Sequence, residues 1–117
     1  MANSVYINKI SSYLPGQPVS NDEMEEYLGV IGGRKSRSKA IVLRSNGIKN
    51  RYYALTKNSE ATHTNAQLTA NAIKKLFSDS KELKTIELLT CGTTTPDQLT
   101  PSHAVMVHGL LPETSNT

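Results

Sequence analysis

Tryptophan is absent from the chain, and phenylalanine and cysteine each occur once in 117 residues. A single cysteine, Cys91, excludes an internal disulfide and points to a reducing, cytoplasmic setting. No apolar run approaches the roughly 20 residues that a membrane-spanning helix needs. The start, Met-Ala-Asn-Ser-Val-Tyr, lacks both the basic opening and the apolar core of a secretory signal, so no membrane partner is expected. The histidines, His63, His103 and His108, are scattered and fit no zinc-binding spacing, so no metal is expected. Acid is also missing from one long stretch. Between Val30 and Ser59 there are eight basic residues and no Asp or Glu: Arg34, Lys35, Arg37, Lys39, Arg44, Lys49, Arg51 and Lys57. The acids Asp22, Glu23, Glu25 and Glu26 gather just before it. Such a block is either a solvated surface or a surface for an anionic partner, because like charges repel when nothing neutralises them.

What remains is enough for one ordinary domain, with 37% apolar and 20% charged residues. Val5 to Ile10 carries β-formers and reads as a strand. Pro15-Gly16 and Pro18 break regular structure after it. Ser20 and Glu23 have the spacing of a capping box, and Met24, Tyr27 and Leu28 then recur at helical spacing, with Gly29 as the stop. Ser38 to Ser45 reads as a short helix ended by Asn46-Gly47. Residues 48–55 follow as an extended segment. Thr64 and Gln67 form a second capping-box pattern. Ala66, Ala70, Ile73 and Phe77 predict a helix from about Asn65 to Asp79. Thr85 to Thr90 is short and apolar enough for a buried strand, with Cys91 after it. Thr100 is placed to cap a helix with Pro101 at its first position, running to Gly109, and the tail is polar. The order of elements is that of α/β layers. Two strands and one long helix are too few to cover both faces of an ordinary α/β sheet.

Three stretches, "YLPGQPVSNDEMEEYL", "AIVLRSNGIKNRYYA" and "IELLTCGTTTPDQLTPSHA", resemble, in order, the start of one family. The first matches a proline turn, a Val-Ser/Thr-Asn step and an acidic helix. The second matches a short helix followed by Thr-Gly-Ile, a spacer and Arg. The third matches a strand, a Thr-x-Thr-Pro-Asp loop and a proline-capped helix. The family is the β-ketoacyl-acyl-carrier-protein synthase III group of the thiolase superfamily, with the aryl-lipid and polyene pigment branch as the nearest flavour. The resemblance covers nearly all of the chain but only the first part of the family's length.

The resemblance implies that residues 1–117 are the N-terminal part of a thiolase-like five-layered α-β-α-β-α fold. It implies a Claisen condensation through an enzyme cysteine, which suits the step because a thiolate is both a strong nucleophile and a good leaving group. The family's cysteine, histidine and asparagine all fall beyond this segment. Cys91 then matches a small residue at the end of a strand, a buried thiol and not the nucleophile, and this segment alone is expected to be inactive. No cofactor is implied, only an acyl-CoA or acyl-carrier-protein thioester as substrate. The basic segment 34–51 matches the mouth of the substrate channel. Its candidates for substrate or carrier binding are Arg34, Lys35, Arg37, Lys39, Ile41, Arg44, Asn46, Gly47 and Arg51. Ile41 falls where the family stacks a tryptophan on adenine, and an isoleucine offers no π-face for this. That favours a carrier-bound donor, and the surplus cations suit an acidic carrier protein. Thr94, Leu99 and Thr100 match a loop that reaches toward a dimer partner's acyl tunnel, so a homodimer is implied for the full-length enzyme. Two alternatives stand beside this reading. One is a non-catalytic subunit. The other is a small basic module for nucleic acid or an acidic protein, with Tyr52 and Tyr53 as stacking aromatics, although no nucleic-acid motif is present.

Overall fold

The computed structural model describes residues 4–114. The polar tail beyond Thr114 lies outside the described residues. The chain divides into two compact units, one built from residues 1–13 and 64–117 and the other from Leu14–His63. Secondary structure is mixed, with several short helices and little sheet.

In the first unit the principal element is α3, Asn65–Lys74, so numbered because α1 and α2 precede it in the chain. The capping box read from the sequence is present. The Gln67 N–H donates to Thr64 Oγ1 at 3.1 Å, and the Thr64 N–H donates to Gln67 Oε1 at 2.8 Å. Two of the N–H groups that a helix start leaves unpaired are thus satisfied locally. The helix stops at Lys74, short of the expected Asp79, and tightens into a turn through Leu76 and Phe77. Helix α4, His103–Gly109, packs on α3. Ala66 and Ala70 let α3 approach closely, and Val107 and Leu111 are fully buried against them. Ile73, Leu89, Cys91, Met106 and Leu110 complete this core from partly buried positions.

The structure corrects three expectations here. Val5 to Ile10 forms no ladder among the described residues, and Val5, Ile7 and Ile10 are each more than four-fifths exposed. Thr85 to Thr90 is not a buried strand either. A 3-10 turn spans Ser80–Thr85, extended chain follows, and Leu88 is exposed while Leu89 turns to the core. Both segments have strand composition, but a strand exists only where a second backbone accepts its hydrogen bonds. Finally, Ser102 and not Thr100 caps α4, its Oγ accepting the Val105 N–H, and the Thr100–Pro101 peptide is cis.

The second unit holds β1, Val19–Ser20, paired antiparallel to β2, Asn50–Arg51, with Val19 opposite Arg51. Its helices are α1, Met24–Leu28, and α2, Lys39–Asn46. Ser20 and Glu23 exchange hydrogen bonds ahead of α1, as the spacing predicts. Glu23 Oε2 accepts from Ser20 Oγ at 2.6 Å, and this bond lowers its carboxyl below the usual range. Gly47 ends α2 in the left-handed conformation, φ 67°, which a glycine adopts without steric cost. Among the described residues of this unit, Val19 and Pro15 are the buried apolar side chains. Neither helix buries a residue. This unit is therefore held mainly by polar and aromatic contacts, including Tyr27 against Tyr53 at 5.9 Å between ring centroids.

Candidate functional site

The basic segment folds around α2. Asn46 Oδ1 accepts the Ile48 N–H at 2.9 Å, closing the turn at the helix end. Asn21 then fixes this turn to β2: its Nδ2 donates to the Ile48 carbonyl at 3.1 Å, and its Oδ1 accepts from Arg51 Nη2 at 2.6 Å. Arg51 is partly enclosed, and its Nη1 is buried without a partner among the described residues. Arg51 thus faces inward as a framework residue. Asn46 and Gly47 shape the helix exit.

The other cations divide into two groups. Lys39 reaches Glu25 at 3.5 Å in a largely covered pair that joins α2 to α1. Lys57 reaches Glu26 at 2.6 Å. Arg34, Lys35, Arg37, Arg44 and Lys49 are exposed, and their side chains make no ion pair or hydrogen bond among the described residues. Four cations of the segment, Lys35, Lys39, Arg44 and Lys49, line an open cavity of about 830 Å³ together with the acids Asp22 and Glu25. The lining carries four cations against two anions, so the site is electropositive. Ile41 stands on α2, 65% exposed. Of the six predicted basic residues, Lys35, Lys39 and Arg44 line this cavity, Arg34 and Arg37 do not, and Arg51 has an internal place.

In the first unit, Thr94, Leu99 and Thr100 are exposed, Leu99 at 89%. The loop that carries them is anchored at its centre. Asp97 Oδ1 accepts the Asn65 N–H at 2.7 Å, and Oδ2 accepts the Ala66 N–H at 2.8 Å. The Asn65 side-chain amide donates to Thr93 Oγ1 and to the Thr95 carbonyl. Asp97 thus satisfies two further N–H groups at the start of α3, and the Ala66 N–H followed by that of Asn65 holds its carboxyl below the ordinary carboxylate range. This role is invisible locally, since Asp97 lies about thirty residues from the helix it caps.

A pH dependence follows, with its sign fixed by the depressed carboxyl. The unfolded chain binds the proton at a higher pH than the folded one does. Asp97 therefore stabilises the first unit above the ordinary carboxylate pKa, about 3.9, and this contribution disappears as pH falls through the lower folded value. Thermal melts from pH 6 to pH 3 should show a loss of stability that is shallower in Asp97→Asn.

Cys91 sits against the core, with its thiol pushed up by burial. It makes no hydrogen bond to a histidine. His103 Nε2 pairs instead with Thr69 Oγ1 at 3.1 Å, its Nδ1 buried with no partner among the described residues, and His108 Nε2 donates to the Thr114 carbonyl at 2.7 Å. A thiol with no base and a raised pKa is not an activated nucleophile. No group of His, Cys, Asp or Glu among the described residues is placed to hold a metal ion, and none of their helices is long and apolar enough to cross a membrane.

With this geometry in place, one similarity to a known protein becomes informative. Over 102 residues the chain is 32% identical to a β-ketoacyl-[acyl-carrier-protein] synthase III of Lactococcus lactis subsp. lactis. The match covers 86% of this chain and 27% of that protein. The chain thus spans about a quarter of the length of the curated relative it matches. No family model matches the sequence. The similar region takes in most of the chain.

Proposed function

We propose that this chain is the N-terminal portion of a β-ketoacyl-synthase-III-like condensing enzyme, contributing part of a substrate mouth and no nucleophile. The observation that carries this reading is the 32% identity extending over 86% of the chain. In the proposed reaction an acyl group passes from a thioester to a cysteine thiolate on polypeptide outside this segment. Decarboxylation of a carrier-bound malonyl extender then breaks its C–C bond to the carboxylate, CO2 leaves, and the resulting carbanion attacks the acyl carbon and releases that thiolate. The uncompensated cations Arg37, Arg44 and Lys49 are assigned to an acidic carrier protein, whose approach they would accelerate. Segment 34–51 is the mouth, and Thr94, Leu99 and Thr100 are assigned to a dimer contact in the full-length enzyme. The relative's name is that of the general condensing enzyme and adds nothing for the aryl-lipid and polyene branch. Nothing in it favours the nucleic-acid or acidic-protein module or the stand-alone subunit.

Titration of the chain with acyl carrier protein tests the mouth. Saturable binding that weakens at least tenfold between 50 and 300 mM salt is expected, because exposed charges are screened beyond roughly a Debye length. Absence of binding at 50 mM salt would remove the assignment.

A further inference from the structure

A buried titratable group with no part in the proposed reaction lies in the first unit, where α4 begins against α3. His103, the first residue of α4, is 7% exposed. Its tautomer follows from its neighbour. Thr69 has a single hydroxyl proton, and this goes to the Asn65 carbonyl at 3.1 Å. The Thr69 oxygen must then accept from His103 Nε2–H, also at 3.1 Å. The neutral ring therefore carries its proton on Nε2 and a bare lone pair on Nδ1, which is buried with no partner among the described residues. Asn65 ties this contact to the loop that precedes α4. Its carbonyl takes the Thr69 hydroxyl, its N–H goes to Asp97, and its side-chain amide holds Thr93 and Thr95. One chain of hydrogen bonds thus runs from His103 through Thr69 and Asn65 into the loop.

A proton added to this ring can enter only at Nδ1. It creates a cation and a new N–H donor in a buried place with no acceptor among the described residues, and both are costly. The first turn of α4 also opposes a cation. The charged group that feels the ring is the Asp97 carboxylate in the loop. Asp97 is exposed, so water screens its pull, and both of its oxygens already bond the start of α3. From α3 the facing group is the Thr69 hydroxyl, and Lys74, the charged residue of that helix, lies exposed at its far end. The Pro112–Thr114 turn also packs on α4, where its Thr114 carbonyl is taken by His108. Burial outweighs the screened attraction, and a charged ring leaves its place for water or for Asp97. Either exit breaks the bond to Thr69, and the second also draws Asp97 away from α3.

We propose that His103 is a proton-operated latch. Neutral, it holds the start of α4 on α3 and keeps the Thr93–Thr100 loop clamped through Asn65. Charged, it lets the loop go. The latch rests on the packing of the first unit and does not depend on the condensing-enzyme reading.

The test is amide hydrogen exchange of the chain, followed by NMR between roughly pH 8 and pH 5.5, where imidazoles change charge and ordinary carboxylates do not. Rates are corrected for the intrinsic pH dependence of exchange. Protection at Asn65, Ala66 and Val105 is expected to fall about tenfold or more as pH drops, in line with a buried donor left unpaired. Nitrogen shifts of the His103 ring should place the proton on Nε2 at the upper end, and its protonation should track the loss of protection. His103→Gln keeps an N–H for Thr69 and cannot charge, so its protection should stay level. His63→Gln and His108→Gln should respond like the unaltered chain. The ring measurement needs no variant, and it decides the question if the His103→Gln protein does not fold. The proposal fails if protection in the unaltered chain is independent of pH, or if the fall persists in His103→Gln. It also fails if His103 gains its proton with no change at Asn65 and Ala66, or if the neutral ring carries its proton on Nδ1.

Discussion

Leu111→Ala is expected to lower the stability of the first unit by about 2–5 kcal/mol, the usual cost of deleting a buried leucine and leaving a cavity. Leu111 is wholly buried, and it packs with Val107 against the two alanines of α3. Among the described residues the buried apolar core of this unit reduces to Ala66, Ala70, Leu83, Val107 and Leu111, so few neighbours are available to relax into the gap. Net stabilities of small domains are about 5–15 kcal/mol, and the loss is therefore a large fraction of the whole. At roughly 4–8 °C per kcal/mol for a unit of this size, thermal melting should fall by about 10 °C or more. Leu111→Met, which keeps the volume, should cost less than about 1.5 kcal/mol. Equal melting of the two variants would show that the α3–α4 contact is not the core.

The second large effect concerns association. Reversing Arg37, Arg44 and Lys49 to Glu together should slow carrier association by about a hundredfold at low salt and flatten its salt dependence, since steering by complementary charge raises on-rates by roughly 10–1,000-fold. Each of these side chains is exposed and free of ion pairs among the described residues, so the melting temperature should hold. Reversal of Lys81 and Lys84, exposed in the first unit, serves as the control and should leave the rate nearly unchanged. Equal loss in both variants would mean that net charge acts, and not the surface around α2.

The sequence announces those features whose causes are local. Thr64 and Gln67 sit three residues apart, and their exchange of hydrogen bonds is present in α3. Asn46-Gly47 ends α2 because an asparagine side chain and a left-handed glycine act within one turn. The uneven charge of segment 34–51 is likewise readable from composition. Features that depend on distant partners are not. Asp97 reads as the tip of a turn, yet it caps a helix far back in the chain. Arg51 reads as a surface cation, yet Asn21 draws it inward. Val5 to Ile10 and Thr85 to Thr90 have the composition of strands and no partner backbone among the described residues. Lys39 differs from its neighbours only because Glu25 lies across from it in the fold.

The most direct measurement of the central claim is intact-protein mass spectrometry of the chain incubated with acyl-CoA and with acyl-carrier thioesters, followed by an assay for β-ketoacyl product with malonyl carrier. With its thiol raised by burial and no histidine bonded to it, Cys91 is expected to stay unmodified, with product no higher than the blank. An acyl adduct on Cys91 accompanied by turnover would contradict the account.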